Sequence, residues 1–163
     1  MQEVKFEAKY KVYKDWESFD GLTKSLLDLA IETSKKAYAP YSDFGVGSSV
    51  LLDDDLLCEG NNQENGAFPS GLCAERVAIF HASAKHPKKR IIAVAVTIDY
   101  SRTDFQEMAF PCGSCRQSML EYELKQKENI KLYVIGRKKE VLVSESIAEL
   151  LPLSFKGDFL QNP

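Results

Sequence analysis

Two segments close together in the chain decide the fold class: CAERVAIFHASAK at 73–85 and IIAVAVTI at 91–98. In the first, Val77, Phe80 and Ala84 recur on one side at helical spacing. The second is almost wholly apolar and rich in β-branched residues, as in a central strand buried on both faces. A helix feeding such a strand is the building unit of a layered α/β domain. The same alternation continues outward. Upstream, Leu22, Leu26, Leu29, Ala30 and Ala37 trace one helix face, with Asp20 as N-cap and Pro40 as stop. Val46–Leu52 reads as a strand and Leu56–Glu59 as its hairpin partner around Asp53-Asp54-Asp55. Asn61–Leu72, rich in Asn, Gly and Pro, reads as a loop. Downstream, Cys112 to about Lys125 reads as a helix through Met119, Leu120 and Leu124. Ile130–Ile135 and Val141–Val143 complete about five strands, and Ile147–Leu151 reads as a short terminal helix. Residues 1–19 are charged and aromatic without clear periodicity, and read as an N-terminal arm or edge strand.

The 163 residues suit a single domain, 1–163, with enough chain for a core that needs no disulfides. With 44% hydrophobic and 28% charged residues, the chain is of ordinary globular composition and not disordered. No apolar run approaches the ~18–20 residues of a membrane span, and the N-terminus lacks the apolar centre of a signal peptide. A net charge of −3 gives no general pull toward polynucleotides. The basic cluster Lys85-His86-Pro87-Lys88-Lys89-Arg90 therefore reads as a solvated loop. Four cysteines in such a chain read as cytosolic thiols, catalytic or metal-binding, and the expected location is the cytoplasm.

Cys112 and Cys115 form a Pro-Cys-Gly-Ser-Cys knuckle at the start of one predicted helix, and Cys73 opens another. A CxxC brings two sulfurs to one side of a first helical turn. Helix N-termini favour thiolate over thiol, so three thiolates from two such ends make a soft site suited to zinc. His81 is about 12 Å along the helix from Cys73, too far to share the ion, and His86 is farther still. Cys58 is not excluded by spacing. A closed four-cysteine structural site, a redox dithiol and ordinary buried cysteines are the alternatives. Without a fourth protein ligand, the open position marks a catalytic zinc. Glu75, two residues after Cys73, adds a carboxylate able to take a proton from water and pass it to a leaving amine. The order Cys73-Ala74-Glu75 … Pro111-Cys112-Gly113-Ser114-Cys115 is the signature of zinc deaminases with cysteine in place of histidine.

From about Leu22 to Leu160 the sequence resembles the short homotetrameric cytidine deaminases. The resemblance rests on Ala37-Tyr38-Ala39-Pro40-Tyr41-Ser42 with Phe44, Val46 and Gly47; on Asn62-Gln63-Glu64-Asn65; on Cys73-Ala74-Glu75-Arg76; on Pro111-Cys112-Gly113-Ser114-Cys115-Arg116-Gln117; and on Leu150-Leu151-Pro152-Leu153-Ser154-Phe155. It implies a three-layer α-β-α domain with a mixed sheet, one Zn²⁺ per chain on Cys73, Cys112 and Cys115, and Glu75 as proton shuttle. It further implies that Asn62 and Glu64 hold the ribose 3′-hydroxyl, that Phe44 lines the base pocket, and that the Ala74 backbone and Glu75 read the base edge. Phe155 would stack on the base from a neighbouring subunit. Arg76 would hydrogen-bond thiolate sulfur and offset the net −1 of three thiolates on Zn²⁺. The implied reaction is deamination of cytidine and deoxycytidine in pyrimidine salvage by a zinc-activated water, with no polynucleotide or membrane partner. A blasticidin S type deaminase and a non-enzymatic zinc-stabilised interaction module are the rivals. Three departures stand out: Phe68 where the family often has Tyr, a longer loop from Tyr100 to Phe110, and the additional arm 1–19.

Overall fold

Strand β4 (Ile91–Ile98) lies inside one sheet and is covered on both faces, as its unbroken apolar run requires. The computed structural model of the chain describes residues 1–157. Its other strands are β1 (Lys11–Tyr13), β2 (Val46–Leu52), β3 (Leu57–Asn61), β5 (Lys131–Ile135) and β6 (Val141–Ser144). The helices are α1 (Gly21–Ser34), α2 (Ala74–Lys85) and α3 (Gly113–Gln126), with single 3₁₀ turns at Phe68–Ser70 and Ala148–Leu150. The sheet order is β1-β6-β5-β4-β2-β3. Only β4 and β5 pair in parallel, because α3 crosses over between them; the remaining pairs are antiparallel.

The three layers follow from side-chain alternation along β4. Ala93 and Ala95 pack with Leu26, Leu27 and Ala30 of α1 on one face. Val94 and Val96 pack with Ile79 and Ala82 of α2 and with Met119 and Leu120 of α3 on the other. Glycine lets the helices approach closely. A Cβ at Gly47 would lie 2.2 Å from Ala30 O, and one at Gly60 would lie 2.3 Å from Ala78 N. Gly60 thereby lets α2, whose first turn carries the candidate site, rest against β3.

The expected five strands become six among the described residues. The addition is β1, drawn from the N-terminal arm and paired with β6. Tyr13 and Phe19 anchor it: their ring centroids are 4.8 Å apart, and Phe19 meets Tyr133 edge-on at 5.8 Å. Three residues are too few to show a period, so this strand exists through its long-range partner. Helix α1 begins at the expected cap, with Asp20 Oδ1 accepting from Thr23 N at 2.7 Å. It ends at Ser34, well before Pro40, because the backbone of Tyr38 is engaged by residues 62–64. Ala37 therefore lies beyond the helix. The terminal helix shrinks to one 3₁₀ turn, since the buried Glu123 carboxylate takes the amides of Ile147 and Ala148 and the Ser146 hydroxyl. In the basic loop, Lys89 pairs with Asp54 at 2.9 Å, and Arg90 pairs with Asp53 and Glu128. No helix is long and apolar enough to cross a membrane among the described residues.

Candidate metal and active site

Helices α2 and α3 begin side by side. Cys73 and Cys112 are their N-caps, both extended (ψ 154° and 168°), and Cys115 lies on the first turn of α3. The three Sγ atoms lie within 4.8 Å of one another, with Cys73 to Cys112 at 4.0 Å and Cys112 to Cys115 at 3.5 Å. Tetrahedral zinc with bonds of ~2.3 Å to sulfur requires S···S edges of about 3.8 Å, so this spacing fits the ion. Among the described residues this is the only such group of three or more metal-ligating side chains. Cys58, left open by spacing, is buried in the core under α2 and does not belong to it, which removes the closed four-cysteine site. His81 faces the carbonyl of Glu59, 3.2 Å away.

Cys73 and Cys115 are pushed in opposite directions. Hydrogen bonding from Cys115, with help from the Arg76 guanidinium and Cys112, draws the Cys73 thiol down to about 5 against the opposing effect of burial. Cys115 is pushed upward by the same contact with Cys73 and by burial. Arg76 Nη2 donates toward Cys73 Sγ at 4.0 Å. Its Nε is buried without a hydrogen-bond partner among the described residues. Glu75, on the first turn of α2, is only 4% exposed, and burial raises its carboxyl above the ordinary value. A cluster of three cysteine sulfurs, a cation and a buried carboxyl thus meet on two helix ends.

Cys73, Cys112, Glu75 and Arg76 form one wall of a cavity of about 630 Å³ that also reaches Phe44, Asn62 and Glu64, with Tyr41, Phe68 and Phe110 around it, while Cys115 is fully buried. The loop residues have internal duties. Asn62 accepts from Val46 N at 2.7 Å and donates to Phe44 O at 2.9 Å, which fixes the approach to β2 and the position of Phe44. Glu64 accepts from the Ser42 hydroxyl at 2.5 Å and from the amides of Tyr41 and Ser42. The Ser42 hydroxyl and the Tyr41 amide hold its carboxyl below the ordinary value. An amide side chain and a carboxylate can make four hydrogen bonds each. Asn62 therefore keeps one donor and one acceptor direction, and Glu64 one acceptor, uncommitted among the described residues. Ala74 is fully buried at the start of α2.

Phe155 is 58% exposed and is not among the residues around its own chain's cavity. Its carbonyl accepts from Gln117 Nε2 at 2.9 Å, while Arg116 donates to Pro111 O and Leu150 O. The flank of α3 thus fastens the segment carrying Phe155 to the turn carrying Cys112. Sequence reasoning assigned no role to Arg116 and Gln117, although their adjacency to Cys115 was a signal. The long loop from Tyr100 to Phe110 is held by Tyr100, whose hydroxyl donates to Glu107 O at 3.1 Å, and by Arg137, which donates to Phe105 O and Thr103 O. It brings Ala109 and Phe110 to the cavity. Residues 158–160, the end of the resemblance, lie outside the described residues.

The family described as the cytidine and deoxycytidylate deaminase zinc-binding region matches residues 22–128. The chain is 34% identical over 133 residues to a cytidine deaminase of Halalkalibacterium halodurans, covering 82% of this chain and 93% of that protein. It is 32% identical to one from Sporosarcina psychrophila, covering 77% and 85%. The crystal structure of a cytidine deaminase from Burkholderia pseudomallei superposes with a TM-score of 0.69 at 33% identity, covering 81% of this chain and 98% of that one.

Proposed function

This chain belongs to the zinc-dependent cytidine deaminase family, and from that premise we propose that it hydrolyses cytidine and deoxycytidine to uridine and deoxyuridine, releasing ammonia, in pyrimidine salvage. The observation that carries the reading is a group of three thiols at zinc spacing, two of which, Cys73 and Cys112, line one cavity of about 630 Å³ with the buried Glu75. Cys73, Cys112 and Cys115 would hold one zinc ion, whose Lewis acidity makes water a nucleophile near neutral pH.

The rest falls to the chain's own residues. The Glu75 carboxylate takes one proton from the attacking water and delivers it to ring N3. It then takes the proton of the new C4 hydroxyl and delivers it to the 4-amino nitrogen, which leaves as ammonia while C4 becomes a carbonyl. Phe44 packs on the base, and the Ala74 backbone together with Glu75 reads its edge. The unused directions on Asn62 and Glu64 meet the ribose 3′-hydroxyl, which favours a simple nucleoside over a modified antibiotic. Arg76 offsets the excess negative charge of three thiolates. Phe155 completes the site of a neighbouring subunit in a homotetramer.

An ultraviolet assay of zinc-loaded protein with cytidine, deoxycytidine and blasticidin S side by side tests this. Loss of the cytosine band with matching ammonia is expected for both nucleosides. Turnover of the antibiotic alone, or of none of the three, would overturn it.

A further inference from the structure

Residues 1–21 precede the family match, and only three of them form a strand. Taken whole, residues 1–19 show no period in sequence, but their first part alternates charged and apolar residues from Glu3 to Tyr10. Lys5 Nζ and Glu7 Oε1 are 3.3 Å apart, a contact that residues i and i+2 make when they share one side of an extended chain. Reading on at that period, Glu3, Lys5, Glu7, Lys9 and Lys11 share one side, and Val4, Phe6, Ala8, Tyr10 and Val12 the other. The charged side alternates in sign from Glu3 to Lys9. The apolar side is open: Val4, Phe6, Tyr10 and Val12 are 65%, 54%, 59% and 57% exposed. Residues 1–10 are all exposed and take no part in β pairing among the described residues. They lead into β1, the outermost strand of the sheet, so both edges of the segment are free to pair.

We propose that residues 2–10 form an antiparallel strand pair with the same segment of a second copy of this chain, about a two-fold axis at Phe6. Self-pairing about Phe6 sets Lys5 opposite Glu7 and Glu3 opposite Lys9, each twice, with no like charges facing. Val4 meets Ala8 and Phe6 meets Phe6, so all apolar groups fall on one side. The neighbouring registers that keep the two sides apart lose this match. An axis at Lys5 places Glu3 against Glu7, and an axis at Glu7 places Lys5 against Lys9. Opposite charges across antiparallel strands stabilise a pair, and like charges directly opposite destabilise it. The alternating charges therefore select both the partner and the register, in place of the all-lysine edges that keep strands apart.

Amide hydrogen exchange of the full-length zinc-loaded chain tests the pairing, because amides 3–9 are unprotected in a lone arm. At high chain concentration their exchange should slow by about tenfold or more and recover on dilution. Two charge-reversed chains supply the specificity test: Lys5→Glu with Lys9→Glu makes the charged side acidic from 3 to 9, and Glu3→Lys with Glu7→Lys makes it basic. Each variant alone should lose the protection, and an equimolar mixture should regain it. Unprotected amides in the concentrated parent chain would overturn the proposal. So would protection that survives in either variant alone, which would place the arm on another surface, or a mixture that regains nothing. None of these changes touches the cavity, so deaminase activity serves as the check that every variant is folded.

Discussion

Glu75 and Arg76 are neighbours with opposite tasks at one cluster, and substitution separates them. Glu75→Gln keeps the volume of the side chain and removes its capacity to carry a proton. The variant should retain one zinc per chain and its fold, while kcat falls by ~10²–10⁴-fold, the range for a positioned acid–base group. Metal analysis and steady-state rates on one preparation check this, and an active Glu75→Gln enzyme would remove the proton shuttle from the mechanism. Arg76→Ala acts on the other side of the ledger. Its guanidinium lies 4.0 Å from Cys73 Sγ, so its loss leaves the thiolates uncompensated. Zinc affinity should fall by ~10–100-fold in competition with a chelator, as for other residues that support metal ligands. Unchanged affinity and rate would make Arg76 an ordinary helix arginine.

At the scale of elements, both site helices are positioned by their first turns, whereas α1 braces the opposite face of the sheet. The cap of α1 offers a test free of the metal chemistry. The Thr23 amide holds the Asp20 carboxyl below its ordinary value of 3.8. A lowered carboxyl contributes stability that is complete above the ordinary value and is lost as pH falls through the lowered one. Asp20→Ala should therefore cost about 1 kcal/mol at neutral pH, seen as a Tm lower by roughly 2–4 °C. The gap between variant and parent should close as the pH is taken down through the folded-state value. A gap that stays constant in acid would mean that the charged cap contributes nothing. Because zinc loss in acid affects both proteins equally, the difference between them isolates the helix cap.

For the whole molecule, the decisive matter is whether one chain contains a complete site. Phe155 is not among the residues around its own chain's cavity, and its segment is fastened to α3 by Gln117 and Arg116. A ring stacked on a base is worth roughly 1–3 kcal/mol, so Phe155→Ala should lower kcat/KM by about 5- to 150-fold. Mixing chains decides where the ring acts. If the ring acts in a neighbouring subunit, co-refolded Phe155→Ala and Glu75→Ala chains will contain sites with an intact Glu75 from one chain and an intact Phe155 from another. Activity should then rise above the mean of the two parents. Confirmed mixing with no gain would confine Phe155 to its own chain and end the shared-site reading.

The sequence by itself determined the layers, the strand at the centre and three cysteines able to share one metal. Each of these rests on signals that are local and dense: the apolar run of β4, the spacing of Leu26 and Ala30, and a CxxC at a helix start. It also supplied Asp20 as a cap, because an N-cap is a contact between residues three apart. Only the tertiary structure decided the sixth strand, the end of α1 at Ser34, the exclusion of Cys58, and the work of Glu123, Arg116 and Gln117 in seating the C-terminal segment. Those outcomes depend on partners far apart in the chain: Lys11 opposite Val143, Tyr38 beside Asn62, Glu123 on Ile147 and Gln117 on Phe155. A period or a motif can be read from one stretch of chain. Which distant backbone groups satisfy one another is settled only when the helices close on the sheet, since burial is what makes an unpaired amide or carboxylate costly.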